Sequence, residues 1–380
     1  MKKYIPITEM LWFQEGPGVR NTQYTTSGVK LLNVANLVEG ELDITNTDRY
    51  ISEDEAYGRY KHFLVDDGDF IIASSGIKVE YFDRKMGFVK KEQLPLCMNT
   101  STIRFKVLNK EQLSIRYFMY YLKSDHFKEQ LNHQITGSAQ LNFGPSHLKK
   151  MVFPIVEIPI QNQITEKLDT LYHIESRMRE EIELLDELVK SRFIELFGHQ
   201  SHNEKSLPYM TIDDVAEIYL GITHTPTYVD TGVMFISAKN TSGDFLDLSD
   251  VKYISREEFE GAPKGSKPKV NDVLFSRVGS NLGHPVILEE DLELCTFVSL
   301  GFLRSKGTVT SNYLKHWMRD EFFARQVSEH VKGGGQPNLN TGWLKEFKII
   351  VPDLEQQKRF DAFCSQVDKS KHYSMMEVAA

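Results

Sequence analysis

The stretch from Ile160 to Phe197 contains neither glycine nor proline, and it limits what the rest of the chain can build. Apolar residues fall at Ile164, Leu168, Leu171, Ile174, Met178, Ile182, Leu185, Val189, Phe193 and Leu196. Their mean step of about 3.56 residues lies between the straight-helix and coiled-coil repeats, so one apolar stripe is expected along the whole length. Strong helix formers fill most of the other positions. At 1.5 Å per residue the stretch makes a rod of roughly 57 Å, well beyond an ordinary globular helix. It is either a core helix of one domain or a spacer between two bodies. Its flanks favour the spacer.

Those flanks repeat each other. Gly28 to Leu37 (GVKLLNVANL) is answered by Gly232 to Thr241 (GVMFISAKNT), and Gly68 to Gly76 by Asn271 to Gly279. The helical stretch Leu113 to Leu131 has its counterpart in Asn312 to Val331, and the loop Gly137 to Phe143 in Gly333 to Asn340. Pro352-Asp-Leu-Glu-Gln356 then matches Pro159-Ile-Gln-Asn-Gln163 and opens a second helix with Phe360, Phe363 and Val367 on one side. Four segments in one order indicate a duplicated domain-plus-helix unit, not a solenoid. The expected organisation is a first domain over 1–155, a long helix over 156–198, a second domain over 199–353, and a shorter helix and tail over 354–380. The fold class is α+β: two similar α/β domains separated by long helices that pair as an antiparallel coiled coil. That pairing would bury Ile164, Leu168, Leu171, Met178, Ile182, Leu185, Val189 and Phe193 against Phe360, Phe363 and Val367. The second stripe fades after Val367 into Ser370 and Ser374.

Composition narrows the class. With 41% apolar and 26% charged residues the chain reads as globular, and no apolar run is long enough to cross a bilayer. The start, MKKYIPITEMLWFQEG, lacks the apolar core of a signal peptide. Cys97, Cys295 and Cys364 are too far apart for a disulfide framework or a metal spacing, which suits a reducing cytoplasm. The net charge of −8 argues against general nucleic-acid affinity, but half of it sits in Ile160 to Phe197, where nine acids face five bases. The flanking domains are nearer neutral. Two similar domains held apart by a rod suit a target with two separated patches, and duplex DNA with a split site is such a target.

The segments Gly16-Pro-Gly-Val-Arg20 with Asn33 to Asn36, Asp272-Val-Leu-Phe-Ser-Arg-Val-Gly279, Gly137-Ser-Ala-Gln-Leu-Asn142, Gly335-Gln-Pro-Asn-Leu-Asn340, Pro159 to Ile164, and Leu188-Val-Lys-Ser-Arg-Phe193 carry a resemblance. In their order and double occurrence the chain resembles the specificity (S) subunits of type I restriction–modification enzymes. The likeness covers almost all 380 residues. It implies two target-recognition domains, each reading one half of a bipartite duplex site, and helical spacers that set the gap. It also implies two methyltransferase (M) subunits docked on the helices and restriction (R) subunits outside them. S-adenosylmethionine, Mg and ATP would belong to those partners, and this chain would bind no cofactor.

Candidate DNA contacts come from loops. Arg20, Asn21 and Gln23 lie in a Gly/Pro-rich loop and carry side chains able to read base edges; the alternative is a turn with solvated polar groups. Ser74, Ser75 and Lys78, and Arg277, Ser280 and Asn281, follow equivalent buried strands and suit phosphate contacts. For Arg277 the alternative is an internal ion pair. Lys264, Lys267 and Lys269 form a local basic cluster, either a phosphate clamp or a solvated loop. The loops holding Gln140 and Asn142, and Gln336, Asn338 and Asn340, are expected to shape the junction between domain and helix. Tyr117, Phe118, Tyr120 and Tyr121 read as core, not as a base-stacking platform.

No catalytic motif is found. The sequence lacks GxxxxGK[ST], and Gly261-Ala-Pro-Lys-Gly-Ser-Lys267 has neither its spacing nor its setting. There is no GxGxxG after a strand and no Asn-Pro-Pro-Tyr-type tetrapeptide. Pairs such as Glu80 with Lys85, or Asp83 with Lys90, imitate a metal nuclease but arise readily in so charged a chain. The expectation is a non-catalytic specificity subunit. The alternatives are a subunit serving one fused methylation–cleavage partner, a self-sufficient methyltransferase or nuclease, and a coiled-coil scaffold that binds proteins only.

Overall fold

Short runs buried on both faces set the frame. Phe70–Ala73 and Val273–Ser276 are buried throughout, as inner strands must be. The computed structural model describes residues 3–134, 141–279, 281–330 and 338–379. The chain divides into two compact units, Met1–Ile174 and Glu175–Ala380.

Each unit repeats one architecture. A four-stranded antiparallel sheet runs Leu11–Glu15, Thr102–Val107, Phe70–Ala73, Met86–Phe88 in the first and Ala216–Leu220, Leu300–Ser305, Val273–Ser276, Pro285–Ile287 in the second. A parallel pair lies in a second sheet: Val29–Leu32 with Leu96–Met98, and Val233–Ile236 with Leu294–Thr296. Cys97 and Cys295 take equivalent places in these pairs. Both thiols are free and buried, and burial pushes Cys97 up to about 12, which leaves it unreactive. An antiparallel pair ties the beginning of each unit to its closing strand: Lys3–Pro6 with Val152–Ile155, and Tyr209–Thr211 with Lys348–Ile350.

Two helices cover each frame, Ile115–Lys123 and Asp125–Gln134 in one copy, Ser311–Met318 and Glu321–His330 in the other. Their fastenings are the same. Tyr117 donates to the Pro154 carbonyl at 3.1 Å and Tyr313 to that of Ile350 at 2.6 Å. Gln130 bridges the backbone N–H and carbonyl of Val152, as Gln326 does for Lys348. Tyr117, Phe118 and Tyr121 are core residues, as the sequence indicated, while Tyr120 is half-buried and donates to Asp169 at 2.5 Å. Ahead of each inner strand a buried carboxylate is neutralised by a base from the neighbouring strand. Asp69 meets Arg104 at 3.1 Å and Lys106 at 3.3 Å, and Asp272 meets Arg304 at 2.6 Å.

The two long helices are Ile158–Phe197 and Leu354–Ala379. Each is fastened to its unit by one fully buried glutamine. Gln161 accepts from the Ser114 N–H at 2.9 Å and donates to the carbonyls of Gln112 and Val156. Gln357 accepts from the Thr310 N–H at 2.9 Å and donates to those of Thr308 and Pro352.

In the second unit the helices pair antiparallel, with Phe360 5.5 Å from both Phe193 and Phe197 while Lys371 meets Asp186. Val189, Phe193 and Val367 are buried there, and Met178, Ile182, Leu185 and Phe363 are half-buried. Two expectations need correcting. The second stripe does not fade after Val367: Gln357, Phe360, Cys364, Val367, Lys371 and Ser374 are all buried, in alternating steps of three and four. Lys371 can hold its place because Asp186 and Asp244, the latter at 3.2 Å, accept its ammonium. Nor is the first stripe continuous. In the first unit the long helix buries Gln161 and Thr165, with Ile164 and Leu168 half-buried, whereas Leu171 is 61% exposed and Ile174 44%.

Two predictions follow from these fastenings. Gln161→Ala strands an N–H and two carbonyls, and should destabilise the first unit by about 2–3 kcal/mol; Gln357→Ala should do the same to the second. Hydrogen exchange should show each loss of protection confined to the altered unit. Burial alone would raise the Asp244 carboxyl, but Arg319 at 2.8 Å and Lys371 hold it at about 2. A folded pKa below the ordinary 3.8 contributes stability that is present above that value and lost as pH falls towards 2. Denaturant titrations should therefore show wild type losing more stability than Asp244→Asn between about pH 4 and 2.

Candidate nucleic-acid interface

The loop that follows the first edge strand of each main sheet is built over a close backbone approach. A Cβ on Gly16 would stand 2.0 Å from the Asn99 carbonyl oxygen, and one on Gly221 2.3 Å from that of Phe297, so only glycine fits at either place. In the first unit Asn99 is buried and organises the loop from beneath. Its Oδ1 accepts from Val19 and Thr100, and its Nδ2 donates to Asn33 at 2.9 Å and Tyr24 at 3.4 Å.

From this base Arg20 and Asn21 project into solvent. Gln23 does not: it donates to Glu55 at 2.7 Å and Tyr60 at 3.1 Å, and accepts from the Arg20 N–H. Its carboxamide holds the loop's shape. Glu55 lies in the first turn of helix Glu53–Tyr57, whose cap is Ser52. The second unit repeats the device with a different side chain. Glu258, in the first turn of Arg256–Gly261 with Ser255 as its cap, pairs with His224 Nε2 at 2.7 Å. Above that anchor Thr223, Thr225 and Thr227 are exposed, and Lys252 lies 4.1 Å over the Tyr228 ring. Sequence reading missed this second loop. Aligning Gly16 with Gly221 finds it, but no side chain in it shares chemistry with Arg20 or Asn21.

The remaining candidates are dispersed. Ser74 is buried and Ser75 half-buried in a two-residue pairing with Asn142, while Lys78 is exposed. Arg277, equivalent to Ser74, is buried. Its guanidinium donates to the carbonyls of Leu339 at 3.2 Å and Val298 at 3.0 Å, so it braces the frame through backbone acceptors and not through the internal ion pair considered above. Burial lowers its pKa from the ordinary value. Asn281 is exposed, and its carbonyl accepts from Ser276. Ser280 lies outside the described residues, as do Gln140 and Gln336. Asn340 caps helix Thr341–Glu346 by accepting from Gly342 at 2.7 Å. In the basic cluster Lys264 and Lys269 are exposed, whereas Lys267 lies 4.5 Å over the Phe259 ring. The structure thus leaves the neighbours Arg20 and Asn21 exposed, leaves Lys264 and Lys269 exposed, and commits Gln23 and Arg277 to internal bonds. Among the described residues no cluster of His, Cys, Asp and Glu could hold a metal ion, and no helix is long and apolar enough to cross a membrane.

A family model described as the type I restriction modification DNA specificity domain matches residues 21–184 and again 207–373. The chain is 24% identical over 186 residues to the type I restriction enzyme MjaVIII specificity subunit of Methanocaldococcus jannaschii, covering 47% of this chain and 42% of that one. It is 23% identical over 147 residues to the StySPI specificity subunit of Salmonella potsdam, covering 37% and 32%. The matched part therefore spans less than half of either relative. The crystal structure of a type I restriction–modification S subunit from M. genitalium aligns over 100% of this chain and 92% of its own, with a TM-score of 0.59 at 13% identity, a likeness of fold. With its domain present twice, the chain belongs to the type I restriction modification DNA specificity family.

Proposed function

We propose that this chain is the DNA-specificity subunit of a type I restriction–modification complex, in which each unit reads one half of a bipartite duplex site. One observation carries the reading. Two frames agree down to single hydrogen bonds, yet their Gly16 and Gly221 loops present different side chains. Equal frames with unequal loops suit two different half-sites better than one repeated sequence. Arg20 and Asn21 are the first unit's base-edge candidates. Lys78, Lys264, Lys269 and Asn281 suit phosphates, and the loop Thr223–Tyr228 is the second unit's reader. The helix Ile158–Phe197, to which both units contribute, acts as the ruler. Two methyltransferase subunits dock on the helices, restriction subunits bind outside them, and S-adenosylmethionine, Mg and ATP are used by those partners.

Methylome sequencing of cells expressing the chain with its methyltransferase partner tests this directly, because a methylome without a bipartite motif refutes it. Mass spectrometry of the purified complex distinguishes separate partners from a single fused one. Against the wild-type motif, Arg20→Ala with Asn21→Ala should relax one half-site by about 1–3 kcal/mol per lost base contact and leave the other unchanged. Seven residues inserted between Ile174 and Glu175 add about 10 Å while nearly preserving helix phase. That should widen the unread gap by about three base pairs at 3.4 Å each, with both half-sites intact. Altered half-sites would remove the ruler role.

A further inference from the structure

The second unit carries a groove of about 690 Å³ that the DNA-reading role does not use. Its floor is apolar, with Phe245, Leu246, Leu248 and Leu292 each half-buried. Its rim is acidic: Glu289 and Glu290 stand exposed on one side, and Asp368 lies on the helix Leu354–Ala379 opposite, with Lys369 the one lysine lining it. Phe245 reaches that helix through an edge contact with His372 at 6.4 Å between ring centroids.

The duplication supplies an internal control. Phe88 pairs with Phe70 as Ile287 pairs with Val273, so Lys90 and Lys91 occupy the places of Glu289 and Glu290. The buried glutamines likewise align Arg116 with Asn312 and Asp169 with Ser365. Arg116 and Asp169 join at 2.6 Å and Tyr120 donates to the same carboxylate, so the first unit closes the corner that the second leaves open. Fold alone therefore requires neither the opening nor its charge.

We infer that this groove docks a segment of a partner protein in which apolar anchors are flanked by lysine or arginine. The apolar floor gives the anchors a place to be desolvated, and the carboxylate rim selects the flanking cations. The same rim repels a phosphate backbone, which keeps this face away from nucleic acid. The volume is in the range that takes a short run of side chains. The groove adds a second, one-sided contact that only the Glu175–Ala380 unit can make.

Fluorescence anisotropy of the full chain with a labelled Leu-Lys-Lys-Leu-Leu-Lys-Lys-Leu amide tests the inference. The probe should bind, and a peptide with serine for every leucine, or glutamate for every lysine, should bind at least about tenfold more weakly. E289K/E290K should weaken the probe by about tenfold or more at unchanged melting temperature, and F245A by as much with a lowered one, whereas E180K/E181K on the acidic long helix should leave binding unchanged. Equal binding by the serine peptide, or by E289K/E290K, overturns it. So does sedimentation showing a wild-type dimer that E289K/E290K dissolves, since a second copy of the chain would then be what covers the groove.

Discussion

Both units depend on one side chain each, the glutamine at the foot of the long helix. A helix that begins against its own domain must satisfy backbone N–H and carbonyl groups that no water reaches. Gln161 and Gln357 do this with one acceptor and two donor bonds apiece, in the same pattern at both sites. Aliphatic packing at this corner would tolerate a range of angles. Three directed bonds from one planar amide allow very few. Each helix therefore leaves its domain in a defined direction, as the proposed ruler role requires.

Above that fixed base, the copies diverge where solvent permits. Interior devices stay constant: the carboxylate pairs of Asp69 and Asp272, the tyrosines at 117 and 313, and the glutamines at 130 and 326. Surfaces change sign and size, as with Lys90 and Lys91 against Glu289 and Glu290. The Gly16 and Gly221 loops keep their glycine and their anchoring glutamate but exchange Gln23 for His224 as the group held. A buried polar group loses several bonds when it changes, whereas an exposed one loses little, so divergence concentrates in the loops.

Periodicity and internal repetition make the architecture legible in the sequence. The glycine-free run from Ile160 to Phe197 is helical over its whole length, and the repeated segments that fall among the described residues occupy equivalent strands and helices. Periodicity misled where burial was not apolar. Lys371 and Ser374 continue the packed line of the second helix because Asp186 and Asp244 accept the lysine, and those partners lie in distant parts of the sequence. Leu171 and Ile174 fit the repeat yet remain exposed. Arg277 read as a phosphate contact or half of an internal ion pair, but carbonyls from Val298 and Leu339 accept from it instead.

The sequence by itself determined the duplication, the long helix and the family, because each is carried by patterns along the chain: spacing, order and recurrence. Which polar side chains stay free to meet a partner was decided only by the tertiary structure. Arg20 and Gln23 sit three residues apart in one loop, and one is exposed while the other is spent on Glu55 and Tyr60. A hydrogen-bond donor is committed by whatever lies within about 3 Å of it, and sequence separation does not measure that distance.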